Sequence, residues 1–118
     1  MYRIVICGAS LYTLAIESGL SMVEMGDVIS IDPFLPDTVE RIRLLEPDVV
    51  IMERNGKSNQ FALEILFQNI PLLVLDEAQR SITVLVREDI PITEISELTN
   101  VIETINRRQF ERSFKNVQ

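Results

Sequence analysis

Residues 71–87, Pro-Leu-Leu-Val-Leu-Asp-Glu-Ala-Gln-Arg-Ser-Ile-Thr-Val-Leu-Val-Arg, decide the architecture of this chain. Pro71 introduces an apolar strand, Leu72–Leu75, that stops at Asp76, and a second extended run, Ile82–Val86, follows. Only Glu77-Ala78-Gln79-Arg80-Ser81 separates the two. A parallel crossover takes about a dozen residues, so the second run is expected to return antiparallel, as a hairpin. So short a connection also leaves no room for a helix.

Upstream the pattern is different. Arg3–Cys7 is a continuous apolar strand, the mark of a strand covered on both faces. Gly8-Ala9 turns the chain, and Ser10 is placed to cap a helix whose apolar positions are Leu11, Leu14, Ala15, Met22 and Met25, ending near Gly26. Val28–Ile31 forms a second strand, ending at Asp32-Pro33. Asp37 and Glu40 have capping-box spacing before a short helix with Val39, Ile42 and Leu45 on one face, closed by Pro47. Asp48–Met52 is the third strand; a polar loop follows, Ser58 caps, and Asn59–Asn69 is the third helix. Strands alternating with helices of this length give βαβ units and a parallel sheet.

The expected fold is therefore α/β, a flavodoxin-like three-layer sandwich. Its strand order is 2-1-3-4-5, with the fifth strand antiparallel and the fourth helix missing. Thr93 caps a final helix bearing Ile95, Leu98, Ile102 and Ile105. The main domain is expected over residues 1–106 and a basic helical extension, with Phe110 and Phe114, over 107–118.

Composition narrows the function. The 118 residues are 47% hydrophobic and 25% charged, enough for one packed domain. No apolar run approaches the ~20 residues of a membrane span, and the chain opens on a strand rather than a signal-peptide layout, so the expected location is cytoplasmic. There is no histidine, which removes the commonest general base and zinc ligand, and the single Cys7 reads as a small buried hydrophobe. No metal or cofactor is expected. Net charge is −7; residues 1–106 hold 17 acidic against 7 basic side chains, a body that repels phosphate backbones. Direct nucleic-acid binding is thus not expected, since the basic tail (Arg107, Arg108, Arg112 and Lys115 against Glu111) is too short to reverse it. Gly56-Lys57-Ser58 lacks the earlier glycine of a P-loop, where Ile51 stands.

Pro47-Asp48-Val49-Val50-Ile51-Met52-Glu53, together with the element order, resembles the receiver domain of two-component response regulators. That family typically reads Pro-Asp-Val-Val, two hydrophobic residues, then the aspartate that accepts a phosphoryl group. The resemblance covers residues 2 to about 76, and it implies that the active site is degenerate. Glu53 stands at the phosphoacceptor position, Cys7 and Gly8 stand where the family's magnesium-holding acidic pair ends the first strand, and Asp76 stands at the switch Ser/Thr. Arg87 does not replace the family's lysine, because its strand has a different connectivity. The implied function is a non-catalytic pseudo-receiver acting through protein association, with itself or with a signalling or transcription partner. The alternative is a small-ligand or cation site, sensory or enzymatic, at the strand-end edge around Gly8, Glu53 and Asp76, with Ser10 and Asp32 beside it.

The third helix points to association. Phe61, Ala62, Leu63, Ile65, Leu66 and Phe67 leave only Gln60, Glu64 and Gln68 as a polar stripe, whereas a surface helix buries one apolar face. With the fourth helix missing, this flank needs a cover, and a homodimer supplies one. Leu63 and Phe67 are expected at the two-fold axis, with Phe61 and Leu85 supporting them. On the fifth strand Ile82, Val84 and Val86 are expected to face the core, and Thr83, Leu85 and Arg87 the rim.

Overall fold

A computed structural model describes residues 2–8, 10–24, 26–33, 35–54 and 59–115, with the backbone alone for residues 59 and 109–115. The elements are β1 (Tyr2–Cys7), α1 (Leu11–Met22), β2 (Gly26–Ile31), α2 (Thr38–Leu45), β3 (Val49–Glu53), α3 (Asn59–Phe67), β4 (Leu72–Asp76), β5 (Ser81–Leu85) and α4 (Ile95–Lys115). They fall into two compact units, Met1–Arg87 and Glu88–Gln118. The extension expected over residues 107–118 continues α4, whose backbone is described to Lys115.

The first unit holds one five-stranded sheet in the order β2-β1-β3-β4-β5. The first four strands are parallel, and β5 returns antiparallel to β4, with Leu72 opposite Leu85 and Asp76 opposite Ser81. The short link accounts for this: residues 77–80 form a turn, and Arg80 takes a left-handed backbone (φ 48°) to close it.

Side chains alternate across the sheet and create two cores. On one face Val5, Cys7, Val50, Met52, Leu72 and Val74 pack with Ile42 of α2 and Ile65 of α3. On the other face Ile4, Ile6, Ile51 and Leu75 pack with Tyr12, Ile16 and Leu20 of α1. The unit is thus a three-layer α/β/α sandwich with α2 and α3 on one side and α1 alone on the other.

Three local expectations are corrected. Helix α1 stops at Met22, not near Gly26: the Val23 N–H closes on the Gly19 carbonyl, and Glu24 turns left-handed (φ 53°). Gly26 is instead the first residue of β2, opposite Tyr2, at φ 156°. A Cβ there would lie 1.9 Å from the Tyr2 carbonyl oxygen, so only glycine lets the strands meet. The Asp37–Glu40 capping box does not form. Asp37 makes no side-chain cap, and Glu40 pairs with Arg43 one turn on; that hydrogen bond lowers the Glu40 carboxyl and raises the guanidinium.

The third correction concerns β5. Because Leu72 pairs Leu85 and Val74 pairs Thr83, it is Thr83 and Leu85 that stand on the α2–α3 side, and Leu85 packs against that core. Ile82, Val84 and Val86 belong to the row on α1's side and are 59%, 63% and 63% exposed. In the second unit, Glu97 accepts a hydrogen bond from the Thr93 N–H at 2.6 Å, which holds its carboxyl below the usual range, and Arg108 pairs with Glu88 at 3.7 Å. Met25, Ser58, the Gly56-Lys57-Ser58 stretch and the side chains of Phe110 and Phe114 lie outside the described residues. Among the described residues no helix is long and apolar enough to cross a membrane.

Candidate functional site

The carboxyl ends of β1, β3 and β4 form the edge where open α/β sheets take ligands. Cys7 ends β1 with 3% of its surface exposed, and burial pushes its thiol up to about 12. A thiol that keeps its proton is a poor nucleophile. Gly8 follows in the turn; a Cβ there would sit 2.7 Å from the Thr13 methyl, so β1 and α1 approach closely.

Ser10 is the N-cap of α1. Its Oγ accepts the Thr13 N–H at 3.1 Å, and its carbonyl accepts the Thr13 hydroxyl at 3.0 Å. The same Ser10 hydroxyl donates to Glu53 Oε1. Glu53 therefore closes a Thr13–Ser10–Glu53 chain over the start of α1, and its negative charge lies beside the positive end of that helix. A carboxylate held this way supports the helix and occupies the position where the resemblance puts the phosphoacceptor.

Asp76 is turned elsewhere. Its Oδ1 accepts the Gln79 N–H at 3.1 Å in the hairpin turn, and its Oδ2 lies 4.0 Å from Arg54 Nε. Arg54 in turn donates to the Thr83 hydroxyl at 3.2 Å, and its N–H donates to the Leu75 carbonyl at 2.7 Å. Glu53 and Asp76 end adjacent strands but belong to two separate networks, one serving α1 and one serving the β4–β5 hairpin.

Asp32 sits past the end of edge strand β2, its carbonyl accepting the Thr38 hydroxyl at 2.9 Å. It is two strands from Glu53, about 10 Å at ordinary strand spacing. Among the described residues no three His, Cys, Asp or Glu side chains converge in a way that would hold a metal ion.

The association residues divide. Leu63 and Phe67 are 55% and 70% exposed on α3, whereas Phe61 and Leu85 pack against the core on the sheet. Phe61 and Leu85 are half-buried, and the register of β5 turns Leu85 toward that core. Two participants escaped the sequence. Thr13 is fully buried as the partner of Ser10, and Arg54 links Asp76 to Thr83. Ser-x-x-Thr at a helix start was the available sign for the first; the second depends on strand order.

The fold belongs to the flavodoxin-like, Rossmann-type class of α/β proteins, and a comparison with solved structures agrees. The crystal structure of RSP in complex with beta-NADH superimposes with a TM-score of 0.53 at 16% identity, over 100% of this chain and 64% of that one. The chain thus spans less than two-thirds of that protein's length, and identity this low speaks to the fold alone. No family model matches the chain, and no curated protein sequence matches it.

Proposed function

We propose that the protein is a non-catalytic regulatory module, a receiver-like domain that has lost phosphoryl transfer and acts through protein–protein association. The observation that carries this is the surface of the first unit: Leu63 and Phe67 on α3, and Ile82, Val84 and Val86 along β5, are large apolar side chains more than half exposed. Apolar surface of this kind is suited to another protein and not to a polar substrate.

The carboxyl edge supports the loss of chemistry. Phosphoryl transfer to a receiver needs magnesium, and magnesium needs several hard oxygens around one point. Cys7 and Gly8 supply none, Glu53 is tied to Ser10, and Asp76 is tied to Gln79 and Arg54. Incubation with acetyl phosphate and magnesium followed by intact-mass measurement is the test. The chain should emerge unmodified; a stoichiometric gain of one phosphoryl group rejects the proposal.

A second reading puts a small ligand at this edge, and its support is the likeness to RSP, solved with beta-NADH. The residues weigh against a dinucleotide. In the Gly-x-Gly-x-x-Gly turn the second and third glycines admit the pyrophosphate and close helix packing. Here those positions are Ser10 and Thr13, with the Ser10 Oγ capping the helix and the Glu53 carboxylate beside it. Saturable NADH binding at micromolar concentration would transfer the function to this reading.

A further inference from the structure

We infer that two copies of this chain join through the outer edge of β5, in an antiparallel pairing that continues one sheet into the next. The inference rests on the association reading above and names its partner as a second copy.

The two edges of the sheet are differently protected. An exposed edge strand presents unpaired N–H and C=O groups, and soluble proteins blunt it with charge, proline or a bulge. At the β2 edge Asp27 is exposed on the strand itself. The β5 edge has no such guard: Ser81-Ile82-Thr83-Val84-Leu85-Val86 contains no charge and no proline, and Ser81–Leu85 pairs with β4 without a bulge. Such a segment has the composition that pairs readily with other strands. Arg87, the nearest charge beyond it, is folded back onto α3: it donates to the Phe67 carbonyl at 2.7 Å and lies 5.9 Å over the Phe67 ring. Among the described residues no strand occupies the outer side of β5.

The edge is also self-complementary. A two-fold axis through Val84 sets Val84 opposite its mate, Ile82 opposite Val86, and Thr83 opposite Leu85. One face of the seam is then a row of β-branched side chains, the pairs that stabilise adjacent strands best. A register centred on Thr83 would set Val86 opposite Arg80, which disfavours it. The closed two-fold arrangement leaves no free β5 edge to propagate.

A strand edge alone buries less than the roughly 800 Å² per partner of a standard interface. Side chains on both faces add to it. Phe67 lies against Arg87 near the end of β5, so α3 presents Phe67, and Leu63 one turn earlier, toward the seam. On the opposite face Ile82, Val84 and Val86 meet their counterparts.

Sedimentation and cross-linking test this directly. Wild type should sediment as a dimer. Val84→Cys should form a disulfide-linked dimer on mild oxidation, since directly opposed strand residues lie within disulfide reach; Cys7 is buried and does not compete. The Ile82→Lys/Val84→Lys variant should lose the dimer while keeping its circular dichroism spectrum. A monomeric wild type, a dimer that survives both lysines, or a Val84→Cys dimer that stays reduced would overturn the inference. A monomeric wild type without phosphoryl uptake would leave the non-catalytic reading standing and point to a foreign partner, whereas a dimer insensitive to these variants would leave it standing with the contact elsewhere.

Discussion

Replacing Ser10 by alanine removes one oxygen that serves two elements. The helix α1 loses its N-cap, the bond from Thr13 N–H to Ser10 Oγ at 3.1 Å, and Glu53 loses the hydroxyl that donates to it. A lost cap costs typically ~1 kcal/mol. The Glu53 bond contributes roughly 0.5–1 kcal/mol, because the half-buried carboxylate can turn to water. Together these give about 1.5–2 kcal/mol. In a unit of this size, Met1–Arg87, each kcal/mol shifts the melting temperature by about 4–8 °C, so the expected fall is roughly 10 °C. Ser10→Gly should fall about half as far, since glycine caps nearly as well as serine and only the Glu53 bond is lost. Scanning calorimetry of Ser10→Ala, Glu53→Ala and the double variant separates the contributions, with an expected coupling of roughly 0.5–1 kcal/mol. A Ser10→Ala shift below about 2 °C, or strictly additive single variants, would refute the Thr13–Ser10–Glu53 chain.

Other consequences follow from the same structure. Gly26→Ala places a Cβ against the Tyr2 backbone at φ 156°, so urea denaturation should show a loss of at least about 2 kcal/mol; an unchanged midpoint would mean that β1 and β2 do not meet there. The Cys7 thiol is raised from its ordinary 9.0 to about 12 in the folded chain, so the unfolded chain releases its proton first. Its contribution is therefore fully present below the lower value and is lost as pH rises toward the upper one, by about 1.4 kcal/mol per unit. Cys7→Ala should remove that alkaline slope from urea melts, whatever its effect at neutral pH. On α3, Leu63→Glu/Phe67→Glu should weaken association and leave the sheet intact by circular dichroism; a wild-type sedimentation profile would exclude α3 from the contact.

Much of the fold was legible because short-range physics fixed it. Five residues after Asp76 cannot cross over, so β5 had to return beside β4, and the apolar runs at β1, β3 and β4 had to be covered on both faces. Which row of β5 faces α3 was not legible. The Ile82–Val84–Val86 row is the more apolar, yet the choice depends on the Leu72–Leu85 register, a long-range fact. The end of α1 misled for a related reason. Gly26 resembles a helix stop, but its conformation is demanded by Tyr2 on the neighbouring strand. At the carboxyl edge the positions of Cys7, Ser10, Glu53 and Asp76 were readable from the strand ends. That Glu53 joins Ser10 while Asp76 joins Arg54 and Gln79 depends on side-chain directions that spacing does not encode.

Association without phosphoryl chemistry is tested most directly by sedimentation velocity with and without acetyl phosphate and magnesium. The same dimer boundary should appear in both conditions, because Cys7, Gly8 and the engaged Glu53 leave nothing for the donor to act on. A boundary that moves when the donor is added would contradict it.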